Sequence, residues 1–212
     1  MLTLYGHPIS SFTWKVTSAL YENATPFKAV TVDQDSYADF IAKWPMGKFP
    51  ILLDSDRRQM ITETSVIIEY LDAYYPGRTR FVPAHVDAAL EVRRWDRVFD
   101  HLNTTMSKIV TDNIRPDDQR DRFGVEEAKR VIESVYGVVE TQLGERSAFI
   151  VGDAFTLADC AAAPALWYAA RNVPLAAGFA RTHAYLERLK ARPCFARAVK
   201  ESEPLFHLYP GA

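Results

Sequence analysis

The sequence predicts two joined folding units, a small α/β domain of order βαβ then ββα, followed by an all-helical domain. Three observations carry that prediction. Up to residue 77, short apolar runs of strand character are interleaved with segments whose apolar residues recur at helical spacing. After Pro83 the strand-like alternation disappears and long helical patterns take over. Between them, Pro76, Gly77 and Pro83 punctuate a stretch that reads as a linker. The expected domains are therefore residues 1–77 and 84–212, and a chain of 212 residues is long enough for two modest cores.

The elements follow in order. Leu2 to Tyr5 reads as a short strand ended by Gly6-His7-Pro8. Phe12, Val16, Ala19 and Leu20 then fall on one helical face, which breaks at Glu22 to Pro26. Phe27 to Val32 alternates as a second strand, and residues 33–48 read as irregular. Phe49 to Leu53 is a third strand with a proline in its second position, and Gln59 to Ile61 a fourth after the Asp54-Ser55-Asp56 turn. Val66, Ile67, Tyr70, Leu71 and Tyr74 mark a helix that stops before Pro76-Gly77. In the second half, helical patterns cover 86 to about 110 and 117–143, a third helix opens at Thr156, and a fourth spans roughly 178–191.

Composition excludes several classes. Hydrophobic content of 48% with 25% charged residues is that of a globular chain. A net charge of −2 without a basic stripe argues against nucleic acid as a partner. The apolar run from Cys160 to Ala170 is too short for a bilayer and is interrupted by Pro164. The first residues carry neither a charged region nor a long apolar one, so no secretory signal is expected. Two cysteines, Cys160 and Cys194, lack any disulfide or CxxC spacing, and a reducing cytoplasm is the expected compartment. The five histidines show no ligand spacing with carboxylates or cysteines, so no metal is expected.

Several short stretches could carry chemistry, each with a plainer reading beside it. Pro50 opens a strand after a glycine-containing loop; by position alone it is trans punctuation. Ser10 and Ser11 stand where the first strand hands over to a helix, whose free N–H groups favour an anion or thiolate, although capping alone explains a serine there. Glu63-Thr64-Ser65 opens another helix, where hydroxyls and N–H groups suit a carboxylate and Glu63 suits an ammonium; it also reads as an ordinary helix start. Asp159 follows Thr156 by three residues, which is the spacing of a capping box rather than of a catalytic acid. Trp95 and Phe99, four apart, read as helix packing, and Cys160 as a small core residue.

Taken together, Gly6-His7-Pro8-Ile9-Ser10, Gly47-Lys48-Phe49-Pro50, Glu63-Thr64 with Ile67 to Leu71, and Thr156-Leu157-Ala158-Asp159 resemble the glutathione transferase family, over essentially the whole chain and in register. The likeness is to the cytosolic serine-type branches, phi and bacterial, with a zeta-like element in Ser10-Ser11-Phe12-Thr13-Trp14. It implies a thioredoxin-like first domain, glutathione as co-substrate, a homodimer and a hydrophobic electrophile. Ser10, or Ser11 beside it, is then the thiol-contacting catalytic serine. Lys48 faces the glycine carboxylate, Phe49 pairs its backbone with the cysteinyl part, and Pro50 is the cis proline exposing that backbone. Glu63 and Thr64 hold the γ-glutamyl end, with Thr64 standing where the family usually has serine. The electrophile belongs in the interdomain cleft, near Ile9, Phe12 and Met106 to Val110. Asp96 and Asp100 are considered for contact with the partner chain's ligand but are not assigned to the site. Conjugation of glutathione to an electrophilic carbon leads; glutathione-dependent isomerisation, disulfide reduction and a non-enzymatic carrier are the alternatives, and the isomerase reading is weakened by Phe12 where a cysteine is expected.

Overall fold

The computed structural model describes residues 1–144 and 147–210. Four strands form one mixed sheet: β1 (Leu2–Gly6), β2 (Phe27–Thr31), β3 (Ile51–Asp54) and β4 (Gln59–Ile61), in the spatial order β2-β1-β3-β4. β1 pairs parallel with β2, which requires a crossover, and α1 (Ser11–Glu22) supplies it. The pairs β1–β3 and β3–β4 are antiparallel. Leu2 and Leu4 of β1 face Val16 and Leu20 of α1, together with Leu52, Ile61 and Ile67. That cluster is the core of the sheet half.

Two departures from expectation lie in this half. Residues 33–48 are not wholly irregular, because α2 (Tyr37–Lys43) occupies their centre. It buries only Phe40, and seven residues with a single anchor give no readable period. The third strand starts at Ile51, just past Pro50, since a proline has no N–H to give the ladder.

After α3 (Thr64–Tyr74) the chain turns through residues 75–85 into the helical half: α4 (Val86–Asn113), α5 (Arg122–Gln142), α6 (Leu157–Asn172), α7 (Ala180–Ala191) and α8 (Pro193–Ser202). The pattern read as one helix over 117–143 is divided: residues 117–119 form a short 3-10 turn, and α5 begins only at Arg122, after Asp121 has capped it through the Gly124 N–H at 2.8 Å. α8 and the 3-10 segment Glu203–Leu208 were not expected, although Pro193 in a first helical turn is a usable start signal. α6 is buried along most of its length, with Pro164 inside it. Its start is held by Asp159, which accepts from the Thr156 N–H at 2.8 Å, the Ile150 N–H at 3.2 Å and the Tyr185 hydroxyl. Burial raises this carboxyl above its usual range against those bonds, so Asp159 serves the fold. Trp95 and Phe99, 5.8 Å apart, likewise pack in the core. Among the described residues no helix is long and apolar enough to cross a membrane.

The two halves share one core. Trp14 of α1 packs against Trp167, Tyr168, Phe195 and Phe206, and its indole N–H bonds the Pro8 carbonyl and Ser202. The connecting segment is pinned as well. Asp72 accepts from the N–H groups of Phe81 and Val82 at 3.1 and 3.0 Å, and the Phe81 carbonyl accepts the Leu157 N–H at 2.9 Å. At the end of α1, Glu22 is buried and receives a two-pronged bond from Arg192 at 2.9 and 2.7 Å, plus one from Thr79.

Burial alone would raise the Glu22 carboxyl, but the bonds from Arg192 and Thr79 outweigh it and hold it below the usual range. A depressed folded-state pKa contributes stability that is present above the ordinary glutamate range and fades as pH falls through the folded value. Glu22→Gln is therefore expected to cost about 2 kcal/mol near pH 7, below the usual figure for a broken buried pair because Arg192 is partly exposed. Urea titrations across pH should show the gap from wild type closing as the solution is acidified below pH 4; a constant gap would refute this account of the pair.

Candidate active site

The site begins where β1 meets α1. A Cβ on Gly6 would lie 2.6 Å from the Thr13 hydroxyl, so only glycine lets strand and helix approach this closely. The Ser10 N–H donates to the His7 carbonyl at 3.0 Å and closes the turn. Ser10 is the N-cap of α1, with extended backbone at φ −77° and ψ 125°, and its hydroxyl oxygen accepts from the Thr13 N–H at 3.3 Å. A hydroxyl that accepts still has its own proton to give. Capping and contact with a ligand are thus compatible roles for Ser10. Ser11 is the first helical residue and is more deeply buried.

Five of the sequence-predicted residues come together around one cleft of about 460 Å³: Lys48, Phe49, Pro50, Glu63 and Thr64. That volume lies within the ~300–1,000 Å³ usual for small-molecule sites. Gly47, at φ +63°, turns the chain from α2 towards Lys48, and the Phe49–Pro50 peptide is cis. Glu63 sits at φ +64° and ψ 118°, a conformation that costs a non-glycine residue roughly 1–3 kcal/mol. It is exposed at the N-cap of α3 and makes no side-chain cap there, so the first N–H groups of the helix lack that partner. Anion recognition at this end combines those N–H groups, the helix dipole and the Thr64 hydroxyl.

The two serines line a neighbouring pocket of about 250 Å³, whose walls include Ile9, Met106, Val110, Tyr168 and Tyr209. Phe12 lines both spaces and joins them. Ile9, Phe12, Met106 and Val110 are the apolar residues expected near an electrophile. The predicted set is therefore split into a polar cleft and an apolar pocket that share one aromatic side chain.

The sequence reading missed the outer wall of the cleft. Arg97, His101 and Thr104 of α4 line it together with Asp100. The positions 97, 100, 101 and 104 form one helical stripe, but a polar stripe on a helix reads the same whether it faces solvent or a ligand. With Lys48 and Arg97 as cations and Glu63 and Asp100 as anions, the cleft suits a zwitterionic ligand. Neither Cys160 nor Cys194 lines it. Both lie in the helical core, where burial pushes the Cys160 thiol well up and that of Cys194 to about 12.

Behind the cleft is a buried charge cluster. Lys15 of α1 reaches Asp96 at 2.6 Å and Asp100 at 2.8 Å, and bonds the Ser65 hydroxyl at 3.0 Å. Ser65 in turn donates to Asp96 at 2.6 Å. Burial raises the Asp96 carboxyl, Lys15 opposes that rise, and the Asp100 charge adds to it. The thought that Asp96 reaches a partner chain's ligand is thereby corrected, because its side chain is enclosed by Lys15 and Ser65. Asp100 shares the same lysine while facing the cleft of its own chain.

Comparison with known proteins places these observations in a family. Residues 4–79 match the family described as "Glutathione S-transferase, N-terminal domain", and residues 102–193 match "Glutathione S-transferase, C-terminal domain". The chain is 34% identical over 212 residues to Glutathione S-transferase 3 of Zea mays, covering 93% of each protein. It is 28% identical to Maleylacetoacetate isomerase maiA of Aspergillus fumigatus, over 96% of this chain and 92% of that one. Among solved structures, a glutathione S-transferase from Methylobacterium radiotolerans in complex with glutathione sulfonate superposes with a TM-score of 0.80 at 28% identity, covering 93% of this chain and 94% of the other.

Replacing Lys15 by Met strands two carboxylates in the interior. The expected loss is about 3–5 kcal/mol of unfolding free energy, partly restored in the double variant Lys15→Met/Asp96→Asn. Denaturant melts of the three proteins test it. A single variant within 1 kcal/mol of wild type would show that the cluster carries little.

Proposed function

The chain belongs to the glutathione S-transferase family, and from that premise we propose that it joins the thiolate of glutathione to the carbon of a hydrophobic electrophile. One observation supports this most: the polar cleft of Lys48, Phe49, Pro50, Glu63 and Thr64 opens through Phe12 into the apolar pocket that contains Ser10. The proposed pose follows the charges. The glycine carboxylate meets Lys48, and the cysteinyl part pairs with the backbone of Phe49 ahead of Pro50. The γ-glutamyl carboxylate takes the Thr64 hydroxyl and the start of α3, while its ammonium meets Glu63. That pose directs the sulfur at Ser10. Residues 1–77 would hold the tripeptide and residues 84–212 most of the electrophile's surroundings.

The energetics are sufficient. A free thiol with pKa about 8.5 is only a few per cent ionised at neutral pH. Lowering that pKa by about two units needs roughly 2.7 kcal/mol. A hydroxyl donating to a thiolate supplies roughly 1.5–3 kcal/mol, and the N-terminus of α1 about 0.3–1. Ser10 acts as a donor in this scheme rather than as a base. Ser11, one residue into the helix, is the less favoured candidate because the cap geometry belongs to Ser10.

Isomerisation is the second reading, supported by the likeness to the Aspergillus fumigatus isomerase, and turnover of a cis-dienone would identify it. Disulfide reduction finds less support, since both cysteines are buried away from the cleft. A homodimer is also part of the proposal. Val66 and Tyr74 are exposed on one stripe of α3, Val86 and Leu90 are exposed on α4, and pairing the first stripe with the second in another copy would cover both. The buried free thiols suit a reducing cytoplasm.

Two measurements test this reading. Ser10→Ala is expected to shift the acidic limb of the kcat/KM pH profile upward by about 1–2 units while glutathione affinity stays within a few-fold. An unchanged profile would reject Ser10 as the thiolate donor. Sedimentation at micromolar concentration is expected to give twice the mass of one chain; a monomer would reject the dimer.

A further inference from the structure

Two phenols line the pocket beside Ser10, and their hydroxyl protons have different fates. The Tyr168 hydroxyl donates to the Ile9 carbonyl, so its proton is committed to the turn that precedes α1. The Tyr209 hydroxyl sits 2.7 Å from Nδ2 of Asn172. The same Nδ2 lies 2.7 Å from the Tyr168 carbonyl, which can only accept. Turning the Asn172 amide over would set two acceptor oxygens face to face, so this atom is the nitrogen. Asn172 is therefore the donor to both, and the Tyr209 oxygen is an acceptor.

The phenolic proton of Tyr209 must then go elsewhere. Its one partner among the described residues is the Met106 sulfur at 3.9 Å, a weak acceptor on the wall of the same pocket. The ring is held in place: it packs on Tyr168 at 5.1 Å, the Tyr209 N–H bonds the Phe206 carbonyl at 3.0 Å, and Asn113 bonds the Pro210 carbonyl at 3.0 Å. Burial raises the phenol above its usual range, against the opposing effects of Asn172 and Arg171. At neutral pH the group remains O–H. A positioned donor without a strong acceptor, facing the space proposed for the electrophile, is a site for an oxygen.

We propose that Tyr209 donates a hydrogen bond to an oxygen of the electrophile, and that the favoured acceptors are α,β-unsaturated carbonyl compounds. The inference rests on the transfer reading above. In the step it describes, the glutathione thiolate forms a carbon–sulfur bond at the β-carbon while the alkene π pair moves to make an enolate. The negative charge arrives on the carbonyl oxygen, where Tyr209 meets it without losing its proton. The proton released to solvent when the thiol ionised is replaced by one from water at the α-carbon, so nothing is oxidised or reduced. Displacement at an alkyl halide develops no such oxygen charge and gains nothing from Tyr209.

The test compares wild type with Tyr209→Phe on trans-4-phenyl-3-buten-2-one and on benzyl chloride, with thermal melts alongside. Loss of one hydrogen bond to a charged oxygen predicts a fall of about 10- to 100-fold in kcat/KM for the enone. The benzyl chloride rate and the KM for glutathione should stay within about two-fold. Equal losses on both substrates would mark Tyr209 as structural and overturn the proposal, as would an unchanged enone rate. Wild-type turnover of benzyl chloride without the enone would overturn this inference alone. Turnover of neither substrate would overturn the transfer reading and this one with it.

Discussion

The first helix is the constraint around which the protein is arranged. Ten of its twelve residues are buried, because the sheet covers one side and the helical half the other. Val16 and Leu20 belong to the core of the sheet, while Trp14 and Ala19 belong to the core of the helices. A helix enclosed in this way cannot leave its charges unpaired, since an isolated ion in the interior costs several kcal/mol. Lys15 is accordingly surrounded by Asp96, Asp100 and Ser65, and Glu22 by Arg192 and Thr79. These bonds tie α1 to α3, to α4 and to the junction of α7 and α8. The same helix presents Ser10 at its start. The position of that hydroxyl is thus set by packing and charge on every side of the element that carries it.

Local economy of hydrogen bonds gives the site its character. Ser10 satisfies a backbone N–H and retains a proton. Glu63 is held at positive φ with its carboxylate exposed. Ser65, two residues on, is fully engaged by Lys15 and Asp96, which leaves the recognition of a ligand to Glu63 and Thr64. The division between the polar cleft and the apolar pocket follows from which face of α1 and α4 each space meets.

Much of the fold was legible in the chain, and the exceptions have physical reasons. The four strands and the helices with repeated apolar anchors announced themselves by period. α2 did not, having one anchor, and α8 was missed because its start signal, Pro193, also ends the helix before it. The clustering of Lys48, Phe49, Pro50, Glu63 and Thr64 was legible only through their joint likeness to a family pattern; singly, each had an ordinary explanation. Arg97, His101 and Thr104 were visible as a stripe but not as a wall. Tyr209 was beyond sequence reading altogether, because its meaning lies in Asn172 and Tyr168, some forty residues away, and in which atom of an amide faces which oxygen.

The segment between α3 and α4 has a consequence of a different kind. It is stitched to α3 through Asp72, to the end of α1 through Asn23, and to the start of α6 through the Phe81 carbonyl. A connector held this way is a splint and not a tether. The two halves are consequently poor candidates for free exchange: a front half transplanted onto the helical half of a relative would have to bring matching partners for the splint and for both faces of α1. Divergence in this architecture is channelled into pocket walls such as those around Met106 and Tyr209, while the seam between the halves changes only in concert.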